Sequence, residues 1–174
     1  MQRSRTSIRL VAILVAMVVG GCGTPGQSGP TTPAKAEPGF AAPPLIGTTL
    51  DGERFDLGAY RGKPIIVNFW ASWCGPCRAE FPLFQAALKA RVATGLTLVG
   101  VIYHDSPDAA RAFAAGLGAT WPQVIDPAGA LAATYGVVAP PQTYFIDRTG
   151  LLRSRQIGQV TSADLDRQLA AILP

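Results

Sequence analysis

A nearly unbroken apolar segment, Ile65–Trp70 (IIVNFW), runs directly into two cysteines, Cys74 and Cys77, that are separated by two residues. An apolar run of this length is typical of a central strand that is covered on both of its faces. Such a strand needs a layer of other elements on each side of its sheet. The segment therefore predicts a layered α/β domain in which the cysteine pair follows a buried strand.

The rest of the pattern alternates between strands and helices. Phe81, Phe84, Leu88 and Val92 recur at helical spacing after the cysteines, although Pro82 is expected to kink this helix near its first turns. The pattern predicts a hairpin over residues 45–57 around Asp51 and Gly52, helices over residues 78–92, 107–117, 128–135 and 162–173, and further strands over residues 96–103, 123–126, 143–147 and 151–157. This order predicts an α/β sandwich with a central mixed β-sheet flanked by helices.

Residues 1–21 have the layout of a signal peptide. Three arginines precede an apolar run of ten residues, residues 10–19. As a helix this run would be about 15 Å long, half of a membrane's hydrocarbon core, which disfavours a permanent transmembrane helix. The following VVGGC resembles the lipobox of bacterial lipoproteins, which implies cleavage after Gly21 and a diacylglycerol on Cys22. The alternative is an ordinary signal peptide that leaves Cys22 as a free thiol.

Residues 22–44 are dense in Gly, Pro, Ser and Thr and carry few apolar side chains. This composition predicts a flexible tether, anchored by lipid if Cys22 is acylated. Residues 45–174, about 130 in number, have a common size for a single folded domain. Without the three signal arginines the chain has 12 basic and 11 acidic residues, so it lacks the basic field expected of a nucleic-acid-binding protein.

The spacing of Cys74 and Cys77 indicates reversible redox chemistry. A cysteine between a strand and a helix meets the unpaired N–H groups and the positive end of that helix, and both stabilise a thiolate. We therefore expect Cys74 to be the exposed attacking sulfur and Cys77, one turn later, to resolve the mixed disulfide. Gly75 and Pro76 complete the active-site loop, and Pro76 suits a first helical turn because that position needs no N–H donor.

Two other interpretations of the cysteine pair remain open. A structural disulfide is compatible with an exported protein, but closing a loop of four residues would restrict the unfolded chain little. A structural zinc site needs four ligands, and the sequence adds only Cys22 and His104 to the pair. An open site for copper or zinc that includes His104 is the metal alternative. His104 is otherwise expected to lie solvated in the loop after its strand.

VNFWASWCGPCRAEFP (residues 67–82) resembles the active-site segment of the thioredoxin superfamily. More narrowly, it is similar to the membrane-tethered, extracytoplasmic branch that includes the TlpA, ResA and CcmG (DsbE) proteins. YGVVAPPQTYFIDRTGLLRSRQIG (residues 135–158) is similar to the second signature of that branch. The resemblance covers nearly all of residues 45–173. It implies a thioredoxin-like three-layer sandwich with an N-terminal β-hairpin extension.

The resemblance also implies how substrates bind. Pro141 corresponds to the cis-proline that faces the active-site disulfide, and the backbone just before it would pair with an extended substrate segment. The alternative for Pro140 and Pro141 is a plain stiff loop. Pro140 is unusual at its position and removes an N–H from this substrate-binding edge. Trp73, immediately before Cys74, is expected to shield the disulfide or to offer substrates an apolar contact.

Three positions bear on proton transfer and specificity. Asn68 stands where cytoplasmic thioredoxins bury an acid beneath the disulfide, so Asn68 cannot relay a proton. Glu80, one turn after Cys77, matches an acid in the CRAE motif of the tethered branch and is the candidate proton acceptor for Cys77. The alternative for Glu80 is a solvated acid favoured by the helix dipole. Gln142 follows the presumed cis-proline where CcmG-type proteins usually have Glu, which departs from the pattern of the cytochrome-maturation proteins.

Together these features predict an extracytoplasmic thiol-disulfide oxidoreductase, anchored to the membrane by lipid at Cys22. The Gly-Pro pair between the cysteines resembles that of reducing thioredoxins, so we expect a reductant of exported disulfides, with apocytochrome c among its substrates. Its expected partners are protein thiols and disulfides and an upstream membrane thiol-disulfide donor, with no nucleic acid. A monomer is expected, and the redox-active disulfide is expected to need neither a metal nor another cofactor.

Three other functions are weighed against this one. An oxidase or isomerase for secreted proteins is the main alternative. A copper carrier on the same fold is disfavoured because the copper-carrying relatives have three residues between their cysteines. A peroxidase is disfavoured because the threonine-based motif of the peroxide-reducing relatives is not found in the sequence.

Overall fold

The computed structural model describes residues 36–173, and these residues form a three-layer α/β sandwich. The elements in chain order are β1 (Ile46–Thr49), β2 (Arg54–Asp56), β3 (Ile65–Trp70), α1 (Gly75–Ala90), β4 (Thr97–Tyr103), α2 (Pro107–Gly116), β5 (Gln123–Asp126), α3 (Ala130–Tyr135), β6 (Gln142–Ile146), β7 (Leu152–Ile157) and α4 (Ser162–Ile172). The described strands form one sheet in the order β2-β1-β5-β4-β3-β6-β7. The predicted sandwich with a mixed sheet is confirmed.

Strand β3 occupies the centre of the sheet because it is apolar along almost its whole length. All six of its residues are buried, and it pairs in parallel with β4 and antiparallel with β6. Since β3 and β4 run in the same direction, the segments that follow them leave the sheet at the same end. Strand β6 enters the sheet at that end, where Gln142 pairs with Phe69. Both signature segments of the sequence therefore meet at one end of the sheet.

Separate apolar clusters cover the two faces of the sheet. On one face α1, α2 and α4 pack over Trp70, whose ring centroid lies 5.1 Å from those of Phe81 and of Phe113. On the other face α3 and the segment around Leu45 cover Phe69, whose ring centroid lies 5.3 Å from that of Tyr135. Each buried side chain of the size of Phe contributes about 1.5–3 kcal/mol to folding. The two clusters thus hold helices on both sides of β3.

Gly100, in the middle of β4, leaves room for a buried hydrogen bond between side chains of the two flanking strands, β3 and β5. Trp70 Nε1 donates to Gln123 Oε1 over 2.8 Å. A Cβ atom at Gly100 would lie 2.0 Å from Gln123 Oε1 and 2.6 Å from Trp70 Nε1. The close approach of these two side chains therefore requires glycine at this position. The hydrogen bond holds the last residue of β3, directly before the segment that leads to the cysteines.

Helix α1 begins earlier than the predicted residue 78, at Gly75. Its N-cap is Cys74, whose Sγ accepts the backbone N–H of Cys77, and Pro76 lies in the first turn. A cysteine sulfur that caps a helix leaves no apolar periodicity in the sequence, so the apolar stripe indicated a later start. The helix continues through Pro82 to Ala90.

Residues 36–44, predicted as the last part of the tether, pack against the folded domain. Ala36 is fully buried in the cluster around Phe69. The backbone N–H of Gly39 donates to the carbonyl of Leu152, and Ala41 forms a bridge with Leu151. These residues lack the apolar pattern of a strand, and their backbone groups are paired instead with the start of β7. The domain therefore begins before residue 45.

The predictions for the signal peptide, for acylation of Cys22 and for residues 22–35 of the tether lie outside the described residues. The predicted N-terminal hairpin is present as β1 and β2, and Gly52 in its turn has a φ of 82°. Strand β1 also pairs antiparallel with β5, so the hairpin widens the sheet. None of the helices within residues 36–173 combines the length and the apolar character needed to span a bilayer.

Candidate active site

Cys74 and Cys77 form a disulfide where β3 gives way to α1. Their Cα atoms are 5.3 Å apart. Cys74 is the N-cap residue, and its Sγ lies 3.2 Å from the backbone N of Cys77, which donates a hydrogen bond to it. Cys74 is 5% exposed and Cys77 is 0% exposed. An incoming thiolate therefore reaches Cys74 before Cys77, which agrees with the predicted roles.

The start of α1 supplies the electrostatic environment of the two sulfurs. The unpaired N–H groups of a first helical turn favour a negative charge on the capping atom, which is Cys74 Sγ once the disulfide is reduced. Pro76 contributes no N–H, and a Cβ atom at Gly75 would meet no other atom within 4 Å. The loop between the cysteines is thus open to solvent on the side of Gly75.

The Pro140–Pro141 peptide bond is cis, as the resemblance implied. Pro141 is buried directly before β6, and its carbonyl accepts the backbone N–H of Gly158 over 3.0 Å. Because Gln142 pairs with Phe69 near the end of β3, the loop before Pro141 lies at the same end of the sheet as the cysteines. Pro140 has no N–H, so this position can offer a partner chain a carbonyl oxygen but no donor.

Trp73 stands out from the surface beside the disulfide. Its side chain is 58% exposed, and its indole N–H donates to the carbonyl of His104 over 3.2 Å. The ring packs edge-on against Tyr103 with a centroid distance of 6.5 Å. An apolar ring in this position is suited to the predicted roles of shielding the disulfide and contacting a bound chain, which stay predictions.

The loop after β4 has a larger role at this site than the sequence indicated. His104, expected to lie solvated and without a special role, adopts a φ of 43°, and its carbonyl accepts the hydrogen bond from Trp73. Asp105 Oδ2 accepts the backbone N–H of Ser72 over 2.6 Å. Asp105 was not singled out from the sequence, although an acid directly after a strand that ends beside β3 is a usable signal. The loop holds the segment before Cys74 through both contacts.

Glu80 is fully buried, which excludes the alternative of a solvated acid. One carboxylate oxygen accepts the backbone N–H of Val160 over 2.7 Å, and the other lies 3.3 Å from Asn68 Nδ2, which donates to it. Asn68 Nδ2 also donates to Thr143 Oγ1 over 3.0 Å. Burial raises the pKa of Glu80 to about 7, although both hydrogen bonds act in the opposite direction. The carboxyl group can therefore take up or release a proton near neutral pH.

Gln142 lies beneath the loop that carries Pro141 and is almost fully buried. Its Nε2 donates to the carbonyl of Ala139 over 3.4 Å. The Tyr144 hydroxyl donates to the carbonyl of Tyr135 over 2.7 Å and lies 3.1 Å from Gln142 Oε1. The sequence singled out Gln142 but neither tyrosine. An uncharged amide suits this site because it can donate to one partner and accept from the other.

No group of three or more His, Cys, Asp and Glu side chains within the described part of the chain is arranged to hold a metal ion. The polar groups described at this site are the backbone N–H of Cys77, the side-chain amides of Asn68 and Gln142, and the carboxyl of Glu80. This set suits thiol chemistry, in which charge develops on sulfur and a proton must move.

The matches to known proteins agree with this geometry. The family model described as "AhpC/TSA family" matches residues 35–155. The chain belongs to the AhpC/TSA family. Among its curated relatives, thioredoxin-like protein YneN of Bacillus subtilis is 34% identical over 164 residues, and the match covers 92% of this chain and 95% of YneN. Thiol-disulfide oxidoreductase ResA of Bacillus thuringiensis subsp. konkukian is 28% identical over 178 residues, covering all of both chains.

Solved structures share the fold. A Chlorobium tepidum protein described as thiol:disulfide interchange protein DsbE superposes with a TM-score of 0.74 at 30% identity, covering 80% of this chain and 100% of that one. The protein therefore has the predicted thioredoxin-like fold. It is a thiol-disulfide oxidoreductase with Cys74 and Cys77 as its CxxC pair.

Proposed function

We propose that the protein is a reductant of disulfides in exported proteins, apocytochrome c among them, and that a lipid on Cys22 holds it at the outer side of the cytoplasmic membrane. The signal-peptide layout and the lipobox-like VVGGC support the location. The two cysteines themselves serve as the redox group, without a metal or a further cofactor.

The burial of Glu80 carries the proposed direction of electron flow. A dithiol becomes a strong oxidant when its reduced form is stabilised, chiefly as a thiolate. A buried carboxyl that follows Cys77 by one helical turn disfavours a second negative charge on that cysteine. The reduced form then gains little from ionisation of Cys77 beyond the stabilisation that the start of α1 gives the Cys74 thiolate, and this limit favours a less oxidising couple.

The reaction begins with the reduced protein. The Cys74 thiolate attacks one sulfur of a substrate disulfide, a mixed disulfide forms, and the other substrate sulfur leaves and takes up a proton. Cys77 then transfers its proton to Glu80 and attacks Cys74 Sγ. The second substrate sulfur leaves Cys74 and takes a proton from solvent, so the substrate departs as a dithiol with two more electrons, and Cys74 and Cys77 are left as a disulfide. A thiol-disulfide donor in the membrane returns two electrons, and Glu80 returns its proton to Cys77, which restores the Cys74 thiolate and the Cys77 thiol.

The substrate is expected to lie as an extended segment between Trp73 and the loop before Pro141. Trp73 and Val138 are both exposed and offer apolar contacts on the two sides of this path. Because Pro140 provides a carbonyl and no N–H, the substrate must donate its own backbone N–H there. We expect weak, sequence-tolerant binding, which suits a reductant that acts on several unfolded proteins.

Substrate trapping tests the roles of the two sulfurs. Cys77→Ser leaves the mixed disulfide on Cys74 unresolved, so covalent adducts with exported proteins are expected on nonreducing gels. Cys74→Ser is the matched control and is expected to trap none of them. Equal trapping by the two variants would refute the assignment.

Equilibration with glutathione buffers tests the direction. A reductant is expected to stay largely disulfide-bonded in buffers that keep oxidising folding catalysts reduced. A midpoint near that of a strong oxidant, together with ready oxidation of a reduced unfolded protein, would favour the oxidase or isomerase alternative instead.

A further inference from the structure

Basic residues collect at the end of the sheet opposite to the disulfide. Arg148, in the turn between β6 and β7, donates to the carbonyl of Gly62 over 3.1 Å and to that of Thr94 over 2.7 Å. It thereby joins the turns that precede β3 and β4, and the last turn of α1 ends beside them. The five basic residues in these segments, which we call the basic end, are Arg61, Lys63, Lys89, Arg91 and Arg148.

The positive charge of the basic end is largely uncompensated. Among the ion pairs of residues 36–173, one involves a member of this group, Arg91 with Asp166. Arg148 bonds to carbonyl oxygens, which leave its charge in place. Of the acids in the neighbouring segments, Asp147 pairs with Arg153 and Asp56 lies 3.8 Å from Arg54, so each is matched by a basic residue outside this group.

This concentration is not a consequence of overall charge. Four of the 15 basic residues precede residue 36, so residues 36–173 carry 11 basic residues and all 11 acidic ones. The described part of the chain is formally neutral, yet five of its basic residues share one end. Such an end attracts an anionic surface while the rest of the domain does not.

Two large apolar side chains lie exposed at the same end. Val92, in the single helical turn that follows α1, is 74% exposed. Phe40, whose carbonyl accepts the backbone N–H of Leu152 at the start of β7, is 64% exposed. Exposed aromatic and aliphatic side chains among lysines and arginines are typical of surfaces that settle into the headgroup region of a bilayer.

The chain enters the domain at this end. Gly39 and Ala42 pair with Leu152 and Gly150, next to Arg148 in the same turn. The predicted tether from Cys22 to residue 35, if it behaves as a Gly-rich coil, has an r.m.s. length of about 20 Å. A lipid on Cys22 would therefore keep the basic end near the bilayer.

We propose that the basic end docks on the anionic phospholipid surface of the membrane that holds the lipid anchor. The proposal rests on the membrane-anchored function proposed above. Strand β3, at about 3.3 Å per residue, separates the two ends by roughly 20 Å. Docking therefore turns Cys74 away from the bilayer and towards exported proteins, with Phe40 and Val92 in the headgroup region.

Vesicle binding tests this surface without the anchor. The protein used is residues 22–174 with Cys22→Ser, and the probes are vesicles of phosphatidylcholine with and without an equal share of phosphatidylglycerol. Binding to the anionic vesicles at low salt is expected, with loss in 0.5 M salt because exposed charges are then screened.

A matched pair of variants locates the contact. Arg61→Gln with Lys63→Gln removes two exposed charges of the basic end and is expected to weaken binding about 30-fold, which corresponds to about 1 kcal/mol for each basic residue near an anionic surface. Arg111→Gln with Arg167→Gln removes the same net charge from two helices, where each arginine pairs with an acid of its own helix, and is expected to change binding less than threefold. Equal weakening by both pairs, or no binding of the parent protein to anionic vesicles, would overturn the proposal.

Disulfide reductase activity of the parent protein and of the two double variants in solution separates the two proposals. A parent protein that is active but does not bind anionic vesicles would overturn the docking surface and leave the redox function in place. In the variant of Arg61 and Lys63, unchanged activity with lost vesicle binding would locate the docking surface and show that the variant is folded. Vesicle binding without any reductase activity would count against the proposed redox function and leave the docking surface in place.

Discussion

The pKa values of two buried carboxyl groups at opposite ends of the sheet are shifted in opposite directions. For Glu80, beneath the active site, burial outweighs the two hydrogen bonds that it accepts, and its pKa rises to about 7. For Asp147, in the turn after β6, burial also acts to raise the pKa, but hydrogen bonds from Thr149, Arg153 and the backbone of Leu151 outweigh it, and the pKa is lowered. The number and charge of the donors, rather than burial alone, decide the ionisation of each group.

The direction of each pKa shift suits the role of the carboxyl group at its end of the sheet. A carboxyl that titrates near neutral pH is suited to take a proton from Cys77 and to return it in the next cycle. A carboxylate that stays ionised is suited to hold a turn, and Asp147 accepts hydrogen bonds from both backbone and side-chain donors across the turn between β6 and β7. Removing each of these two carboxyl groups in turn tests the difference between them.

The largest expected effect is on the rate of disulfide exchange. Glu80→Gln keeps the size of the side chain and can still accept one of its two hydrogen bonds, but it removes the proton acceptor. We expect resolution of the mixed disulfide by Cys77 to slow by about 100-fold at pH 7, the lower range for general base catalysis. Stopped-flow measurement of product release reports this step, and the dependence of its rate on pH near 7 should disappear.

Asp147→Asn is the control for that measurement, since it removes a carboxylate far from the disulfide. Its exchange rate is expected to stay within twofold of the parent protein. If Glu80→Gln were equally harmless, Glu80 would have a structural role and the proposed proton transfer would be wrong.

The second effect concerns stability as a function of pH. Glu80 has a pKa of about 7 in the folded protein and an ordinary value of 4.5. Between these values the folded state binds more protons than the unfolded state, so the free energy of unfolding falls as the pH rises. The full difference is about 3 kcal/mol, at 1.36 kcal/mol for each pKa unit. Urea denaturation of the disulfide form at pH 4.5, 6 and 8 measures it.

In the same experiment Glu80→Gln should abolish the decline between pH 4.5 and 7. Asp147 contributes with the opposite sign, because its pKa is lowered on folding. Its contribution is present above its ordinary pKa of 3.8 and is lost as the pH falls below that value. The raised pKa assigned to Glu80 would be contradicted if the free energy of unfolding of the parent protein rose from pH 4.5 to 7. It would also be contradicted if the Glu80→Gln variant showed the same pH dependence as the parent protein.

The smallest expected effect is the loss of the anchored turn. Asp147→Asn removes the charge that Arg153 pairs with and leaves an amide among several N–H donors. We expect a loss of about 1–3 kcal/mol in the free energy of unfolding at pH 7, the usual range for an unsatisfied buried polar group. Thr149→Val, which removes one of the neutral donors, should cost less. A loss from Thr149→Val that exceeds that from Asp147→Asn would mean that the charge has little part in holding the turn.

Much of the active site was predictable because its signals are local. The apolar run of Ile65–Trp70 indicates a strand covered on both faces, and the structure buries all six residues. Two cysteines directly after that strand indicate a redox pair at a helix start, and Cys74 is the N-cap of α1. The cis bond before Pro141 followed from the resemblance to the thioredoxin superfamily and is present.

Other features depend on partners that are distant in the chain. For Glu80 the sequence left open whether the acid is solvated, and its burial goes with a hydrogen bond from Val160, 80 residues further on. Asp105 reaches Ser72 across 33 residues, and no motif marks that contact. Residues 36–44 resemble the rest of the tether in composition, yet the backbone of Gly39 pairs with Leu152.

The sequence by itself determined the types and order of the elements, the redox pair and the neutral overall charge of the domain, because each depends on spacing or composition along a short stretch of chain. The tertiary structure alone decided which carboxyl has its pKa raised by burial, where the domain begins and which end collects uncompensated positive charge. These depend on desolvation and on donors brought together from distant segments, and no local pattern records either quantity.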